Sequence, residues 1–291
     1  MEGVIVKNMR QQKNTNQWYC RTAPSLGGGF AGDALSAWGT PPYNPDKHIN
    51  KKVCFFGCYS IVDFYALWKH KGRKAILWAG SDIRHFINGY WLDDKGEIRL
   101  APRPLAEWII KNCESWVENK AEYDALKKWG IESKIMPSFL GNVDDYQLSF
   151  KPSDKPKVYS SVSGDNFGLY GWFEIEQIYA PQNPDIEFHL YGNSVKWETE
   201  NKNVFIHGRV SQEQMNEETK EMQGALRLII MEGLSEIIAK SFLWGQYPIS
   251  AIPYPNALSL NEIGKLKEKK EPNIAGREFY LKTLNKYIWA K

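Results

Sequence analysis

A carboxylate, a glycine and a hydroxyl stand together in Glu232-Gly233-Leu234-Ser235, between an apolar run (Leu226 to Met231) and a helical pattern that closes at Gly245. A second apolar run, Tyr247 to Ile252, follows. The order reads as strand, loop, helix, glycine stop, strand. The first turn of such a helix leaves backbone N–H groups unpaired, and small residues before it let an anion come close. Glu232 falls at the carboxyl end of the strand, where open parallel sheets bind ligands. This arrangement suits a phosphate-bearing donor whose hydroxyls meet a carboxylate. A helix N-cap is the plainer role for the same acid.

Arg227-Leu228, then Glu232-Gly233-Leu234-Ser235, then Ala239 and Gly245, resemble the donor-site segment of GT-B glycosyltransferases, in the retaining "group 1" (family four) branch. In that family an acid and a Glu eight positions later bracket the donor sugar and ribose. Glu232 matches the first, and Lys240 stands where the second would be. The resemblance implies two facing Rossmann-like α/β domains and a nucleotide-sugar donor. It also implies retention of anomeric configuration, and a C-terminal helix that can cross back to the first domain.

Three further strand ends should face the same donor. The first is Ser163-Gly164-Asp165, whose small groups could admit a pyrophosphate or simply make a turn. The second is Gly192. The third is His207-Gly208-Arg209, where the resemblance implies a place near the base and phosphates and Arg209 suits phosphate charge. With Glu232, Gly233, Leu234, Ser235 and Lys240 they form the candidate donor set, although Lys240 also reads as a helix-surface lysine. On the acceptor side, Trp78-Ala79-Gly80-Ser81-Asp82-Ile83-Arg84-His85 follows a buried apolar run, and similar proteins carry a comparable segment. Asp82 and His85 would share a helix face if Ser81 caps it, and could bind acceptor hydroxyls or take a proton. Glu114 and Glu118 are weaker acceptor-side candidates.

The elements that must position these groups alternate along the chain. Lys52 to Gly57, Ala75 to Gly80, Ser115 to Val117 and Ile131 to Met136 read as strands. Helical stretches Ile61 to His70, Pro104 to Asn112 and Asn119 to Gly130 lie between them, which implies parallel pairing. Val4 to Val6 is a candidate first strand. Lys13 to His48 is Gly-, Pro- and Asn-rich and reads mostly as loop, with a short helix at Ala31 to Trp38. A polar stretch with two prolines, Phe150 to Lys157, is the best linker. Strands then resume at Val158 to Val162, Ile186 to Tyr191 and Val204 to Ile206, with helices at Tyr170 to Ala180 and Gln212 to Gln223. The expected division is a first domain over 1–152, a donor domain over 157–274 and a terminal helix over 275–291.

Composition narrows the function classes. The chain has 291 residues, 43% apolar and 24% charged, which is ordinary for a globular protein. Its net charge of +3 is too dispersed for a nucleic-acid partner. The lysines between Lys265 and Lys270 read as a solvated face, or as a weak peripheral contact with anionic lipid. Four cysteines without metal-like spacing suggest buried thiols and a cytoplasmic protein. No signal peptide or membrane span is expected. The five histidines show no metal spacing, so neither a metal site nor a cofactor is predicted. Asp93-Asp94 reads as a hairpin turn. Gly27-Gly28-Gly29-Phe30-Ala31-Gly32 reads as a mobile loop over the acceptor site, which disfavours a dehydrogenase. The sequence therefore points to a metal-independent glycosyltransferase acting on a glycan, lipid-linked or protein acceptor. A degenerate nucleotide-sugar-binding protein and a nucleotide-sugar epimerase are the alternatives.

Overall fold

Short apolar strands separated by helices have only one economical way to pair, side by side and in parallel, and every strand pair in the computed structural model is parallel. The structure describes residues 16–290 apart from 91, 93, 94, 96 and 97. The first sheet runs in chain order: β1 (Trp18–Thr22), β2 (Lys52–Phe56), β3 (Lys74–Leu77), β4 (Glu114–Val117) and β5 (Ser133–Ile135). Its helices are α1 (Gly28–Trp38), α2 (Ile61–Lys69), α3 (Ser81–Asn88), α4 (Pro102–Asn112) and α5 (Lys120–Lys127). Local chemistry sets their starts. Ser60 and Asp63 form a capping box on α2, and Asn119 and Glu122 form one on α5.

The strand pleat divides the apolar side chains between two cores. Val53, Phe55 and Ile76 face one, while Cys54, Phe56, Ala75 and Leu77 face the other. Much of the aromatic content goes into the second, where Trp18, Trp38, Trp116, Tyr287 and Trp289 meet. Cys20, Cys54 and Cys58 are buried free thiols.

β6 (Lys157–Ser161), β7 (Glu187–Tyr191), β8 (Val204–Gly208), β9 (Gly224–Arg227), β10 (Ile249–Ser250) and β11 (Leu258–Ser259) form the second sheet, in the order 11-10-9-6-7-8. Its helices include α6 (Gln212–Thr219), α7 (Glu236–Leu243) and α8 (Ile274–Thr283). Phe242 of α7 stacks on Tyr280 of α8 at 4.1 Å between ring centroids.

Several elements differ from the sequence expectation. β1 lies inside the stretch read as loop, because a five-residue strand flanked by polar residues gives little periodicity. Its outer edge is covered where the Cys20 N–H donates to Pro41 O and the Tyr43 N–H to Cys20 O. The Gly27–Gly29 segment therefore does follow a strand, and Gly28 begins α1. β9 stops at Arg227 instead of continuing to Met231, since the Arg227 side chain turns back to pair with Glu232. The terminal helix ends at Thr283, and Asn285 takes a left-handed φ of 57°. The strap after it crosses back to the first domain. There Asn285 bonds to the Phe139 backbone, Tyr287 Oη donates to Met136 O, and Thr40 Oγ1 donates to Trp289 O. Val4 to Val6 and Asp93-Asp94 lie outside the described residues. Bonds on either side run from the Leu92 N–H to Ile98 O and from the Leu100 N–H to Tyr90 O.

Candidate functional site

The carboxyl ends of both sheets open onto one cleft of about 880 Å³. The second domain lines it with Ser161 to Ser163 after β6, Tyr170, Met215 of α6, and Arg227 through Lys240 around the start of α7. The first domain contributes Leu26 and Phe30 around the start of α1, Tyr59 after β2, Ser81 and Arg84 of α3, Glu118 after β4, and Ser138 to Gly141 after β5. Every contributing strand presents the end at which open α/β sheets bind ligands.

Arg227 and Glu232 organise the donor wall. The guanidinium meets the carboxylate with Nε at 2.7 Å from Oε1 and Nη2 at 2.6 Å from Oε2, a bidentate fork. Arg227 also lies over the Tyr170 ring at 4.4 Å and reaches Ser161 O. A carboxylate has about four lone-pair sites, so Glu232 can still accept hydroxyls from a ligand. Beyond it α7 begins after Ser235 with no side-chain cap, which leaves first-turn N–H groups facing the cleft. Lys240 is buried, not a surface lysine. Its Nζ lies 2.9 Å from Glu236 Oε1 and donates to Asn216 Oδ1 at 3.2 Å.

The loop 232–234 is clamped from several sides. Asn119 Nδ2 donates to Glu232 O at 2.6 Å, Tyr254 Oη donates to Gly233 O at 2.7 Å, and the Leu234 N–H donates to Glu118 Oε2. Gly80 must be glycine here, because a Cβ would sit 2.4 Å from Glu232 Cα. Burial pushes Glu118 up to about 7, against the hydrogen bonds from Ser138 Oγ and Leu234 N–H that favour its charge. Glu122 is likewise raised by burial and then by the Glu118 charge.

Of the residues singled out by sequence, Glu118, Ser163, Glu232, Gly233, Leu234, Ser235 and Lys240 line the cleft. Asp82, His85, Gly164, Asp165, Gly192, His207, Arg209 and Glu114 do not. Asp82 is fully buried, where its carboxylate accepts the Cys58 and Ala79 N–H groups and burial pushes it up to about 7. It fastens two loops together and does not reach the cleft. His85 points outward and meets Tyr59 edge-on, so the two do not share a face; α3 starts after Gly80 rather than after a Ser81 cap. Gly164 and Asp165 turn away, with Asp165 accepting the Ser194 N–H at 2.6 Å. Gly192 packs its α-carbon against Val162 O. His207 stacks on Tyr191 at 4.2 Å and pairs with His189, and burial lowers it. Arg209 is exposed and does not line the cleft. Glu114 pairs with Arg73 and Lys134, away from the cleft.

Sequence reasoning missed Arg227 as a site residue, although an arginine ending an apolar strand five residues before the acid was the available signal. It placed Gly27 to Gly32 over the acceptor site but as a loop, where α1 begins at Gly28 and Phe30 lines the cleft. The basic run is accounted for by local partners: Lys265 pairs with Glu262, Lys267 with Asp185 and Lys270 with Asp154, and Lys269 lies over Tyr247. Among the described residues no helix is long and apolar enough to cross a membrane, and no three His, Cys, Asp or Glu side chains group as metal ligands.

No protein-family model matches the sequence, and no curated protein matches it. Solved structures do resemble the fold. A sucrose-phosphate synthase from Thermosynechococcus elongatus superposes with a TM-score of 0.54 at 11% identity, over 88% of this chain and 72% of that one. The lipopolysaccharide outer core galactosyltransferase WaaB gives 0.54 at 12% identity, over 81% and 72%. HepE from Anabaena, solved with UDP and glucose, gives 0.54 at 10% identity, over 92% and 95%. Against TarM, at 15% identity and a TM-score of 0.46, the chain spans about half of the other protein's length, 51%. Two parallel sheets facing across a cleft, closed by a C-terminal strap, give this chain the GT-B glycosyltransferase fold.

Proposed function

We propose that the protein is a retaining, metal-independent glycosyltransferase that moves a sugar from a nucleotide-sugar donor to a glycan, lipid-linked or protein acceptor in the cytoplasm. The observation that carries this is the donor wall. Arg227, Lys240 and the uncapped start of α7 converge beside a carboxylate on one side of the cleft. The donor diphosphate sits against the first-turn N–H groups, and the two cations balance charge that grows as it departs. These fixed dipoles and cations do the work without a resident cofactor. Glu232, oriented by its fork with Arg227, accepts sugar hydroxyls. The acceptor oxygen attacks the anomeric carbon on the face the diphosphate leaves. One C–O bond forms as the other breaks, and the acceptor proton passes to the departing phosphate oxygen. The apolar acceptor wall, including Phe30 and Tyr59, excludes water that would hydrolyse the donor.

One observation favours a second reading, binding without turnover: Lys240 replaces the family's second Glu, and its ammonium is already held by Glu236 and Asn216. Titration with UDP-glucose and other nucleotide sugars, with slow donor hydrolysis followed by NMR, separates the two. Binding with hydrolysis, weakened in Glu232→Gln, is the expected result, with the released sugar first appearing in the donor's anomeric form. An inverted product refutes retention. Binding without hydrolysis selects the second reading. Absence of binding to any nucleotide sugar refutes both.

A further inference from the structure

The loop that faces the donor is already occupied from across the cleft. Glu118, at the carboxyl end of β4 in the first domain, places Oε2 on the Leu234 N–H and receives the Ser138 hydroxyl on its other oxygen. The approach is close: a Cβ on Gly233 would lie 2.0 Å from Glu118 Oε2, so a side chain there would push the carboxylate aside. The other two cleft acids beside it are neutralised, Glu232 by Arg227 and Glu236 by Lys240. Among the described residues no cation lies within ion-pair distance of Glu118, and the other acids around it are Glu232, Asp82 and Glu122. Two hydrogen bonds, and no counter-ion, hold this buried carboxyl in place.

We propose that Glu118 is an internal occupant of the donor site: in the ligand-free closed form its carboxylate takes the Leu234 N–H, and a nucleotide-sugar must displace it to seat an oxygen of its own. The inference rests on the donor reading of the 232–235 loop and adds regulation to it. One N–H cannot serve both acceptors, and a donor diphosphate brings further negative charge toward a carboxylate that has no counter-ion. Displacement means that the turn carrying Glu118 and Asn119 moves off the loop, so a contact that joins the two domains beside the cleft is the one the donor breaks. The glycine at 233 leaves room for either oxygen.

Calorimetric titration of the full chain with UDP-glucose at pH 7.5 tests this, comparing the wild type with Glu118→Ala and Glu118→Gln. Loss of a charge-assisted competitor should tighten binding about tenfold in Glu118→Ala. Glu118→Gln, which keeps the shape and removes the charge, should fall between it and the wild type. A mere strut for the loop would weaken binding when removed, so equal or weaker affinity in Glu118→Ala overturns the proposal. Hydrogen exchange of the ligand-free proteins reads the contact without any nucleotide. The Leu234 amide should exchange faster in Glu118→Ala than in the wild type, and unchanged exchange overturns the latch. If no protein binds UDP-glucose or any other nucleotide sugar while exchange still accelerates, the contact stands and the donor reading is the part that fails.

Discussion

Glu232 carries two duties in this structure, and a mutation there must be read for both. Its side chain is 17% exposed and that of Arg227 is 9% exposed, so the fork between them is largely shielded from water. Replacing Glu232 by Gln keeps the volume, removes the charge and turns an amide N–H toward the guanidinium. A buried cation left without its partner costs about 3 kcal/mol or more. At roughly 2.1 cal/mol/K per residue, a chain of 291 residues unfolds with an entropy near 0.6 kcal/mol/K. Glu232→Gln should therefore lower Tm by about 5 °C. Arg227→Met, which strands the carboxylate instead, should cost a similar amount. The double variant removes both charges, so it should lose far less than the sum, with a coupling of about 2 kcal/mol or more. Thermal unfolding of the four proteins closes this cycle. Additive losses, or a single-variant loss below about 1 °C, would refute the fork as a structural element. They would also leave Glu232 free to act on ligand alone. If the cycle closes as expected, weaker donor binding in Glu232→Gln has to be measured well below the lowered Tm before it reports on recognition.

Stability should fall between pH 6.5 and pH 8. Burial pushes Asp82 and Glu118 up to about 7 and raises Glu122, and a carboxyl raised on folding gives stability that is lost as pH climbs through its folded value. His189, lowered by burial to about 4, and His70 and His207, lowered likewise, oppose this, each by at most about 0.4 kcal/mol above pH 6.5 as an unfolded imidazole sheds its proton. Each acid near 7 gives up roughly 0.8 kcal/mol across the window, so the net loss is about 1 kcal/mol, or about 2 °C in Tm; an equal or higher Tm at pH 8 contradicts the placement of these carboxyls. Lys240→Glu, which sets at 240 the residue type of the donor segment this chain resembles, should not raise donor hydrolysis. It sets a buried acid one helical turn from Glu236, itself more than half exposed, in place of their ion pair, so a loss of about 3 kcal/mol in unfolding experiments is expected, and a stable variant that gains donor hydrolysis would contradict it.

What could be read from sequence divides along physical lines. The strands whose apolar runs are bounded by capped helices, β2 to β4 and β6 to β8, were legible because period and punctuation agree there. The loop Glu232 to Ser235 was legible because its position depends on local order alone: strand, small residues, helix start. β1 was not, since five residues with two buried side chains, Trp18 and Cys20, carry no more signal than a loop. Asp82 shows the deeper limit. Its spacing from a strand end was read correctly, but whether a carboxylate there faces a ligand or two backbone N–H groups depends on Gly57 and Cys58, 24 residues earlier, turning toward it. Glu118 and Leu234 are 116 residues apart, and nothing local to either predicts that they meet. Local patterns thus gave the half of the site built from one strand–loop–helix unit. The acceptor half, and the contact of Glu118 with the Leu234 N–H across the cleft, exist only once two sheets face each other. Variation at Glu118, Gly233 and Gly80 should therefore be linked in any functional selection: a side chain at Gly233 fits only if the Glu118 carboxylate swings aside, and one at Gly80 would meet the backbone of Glu232.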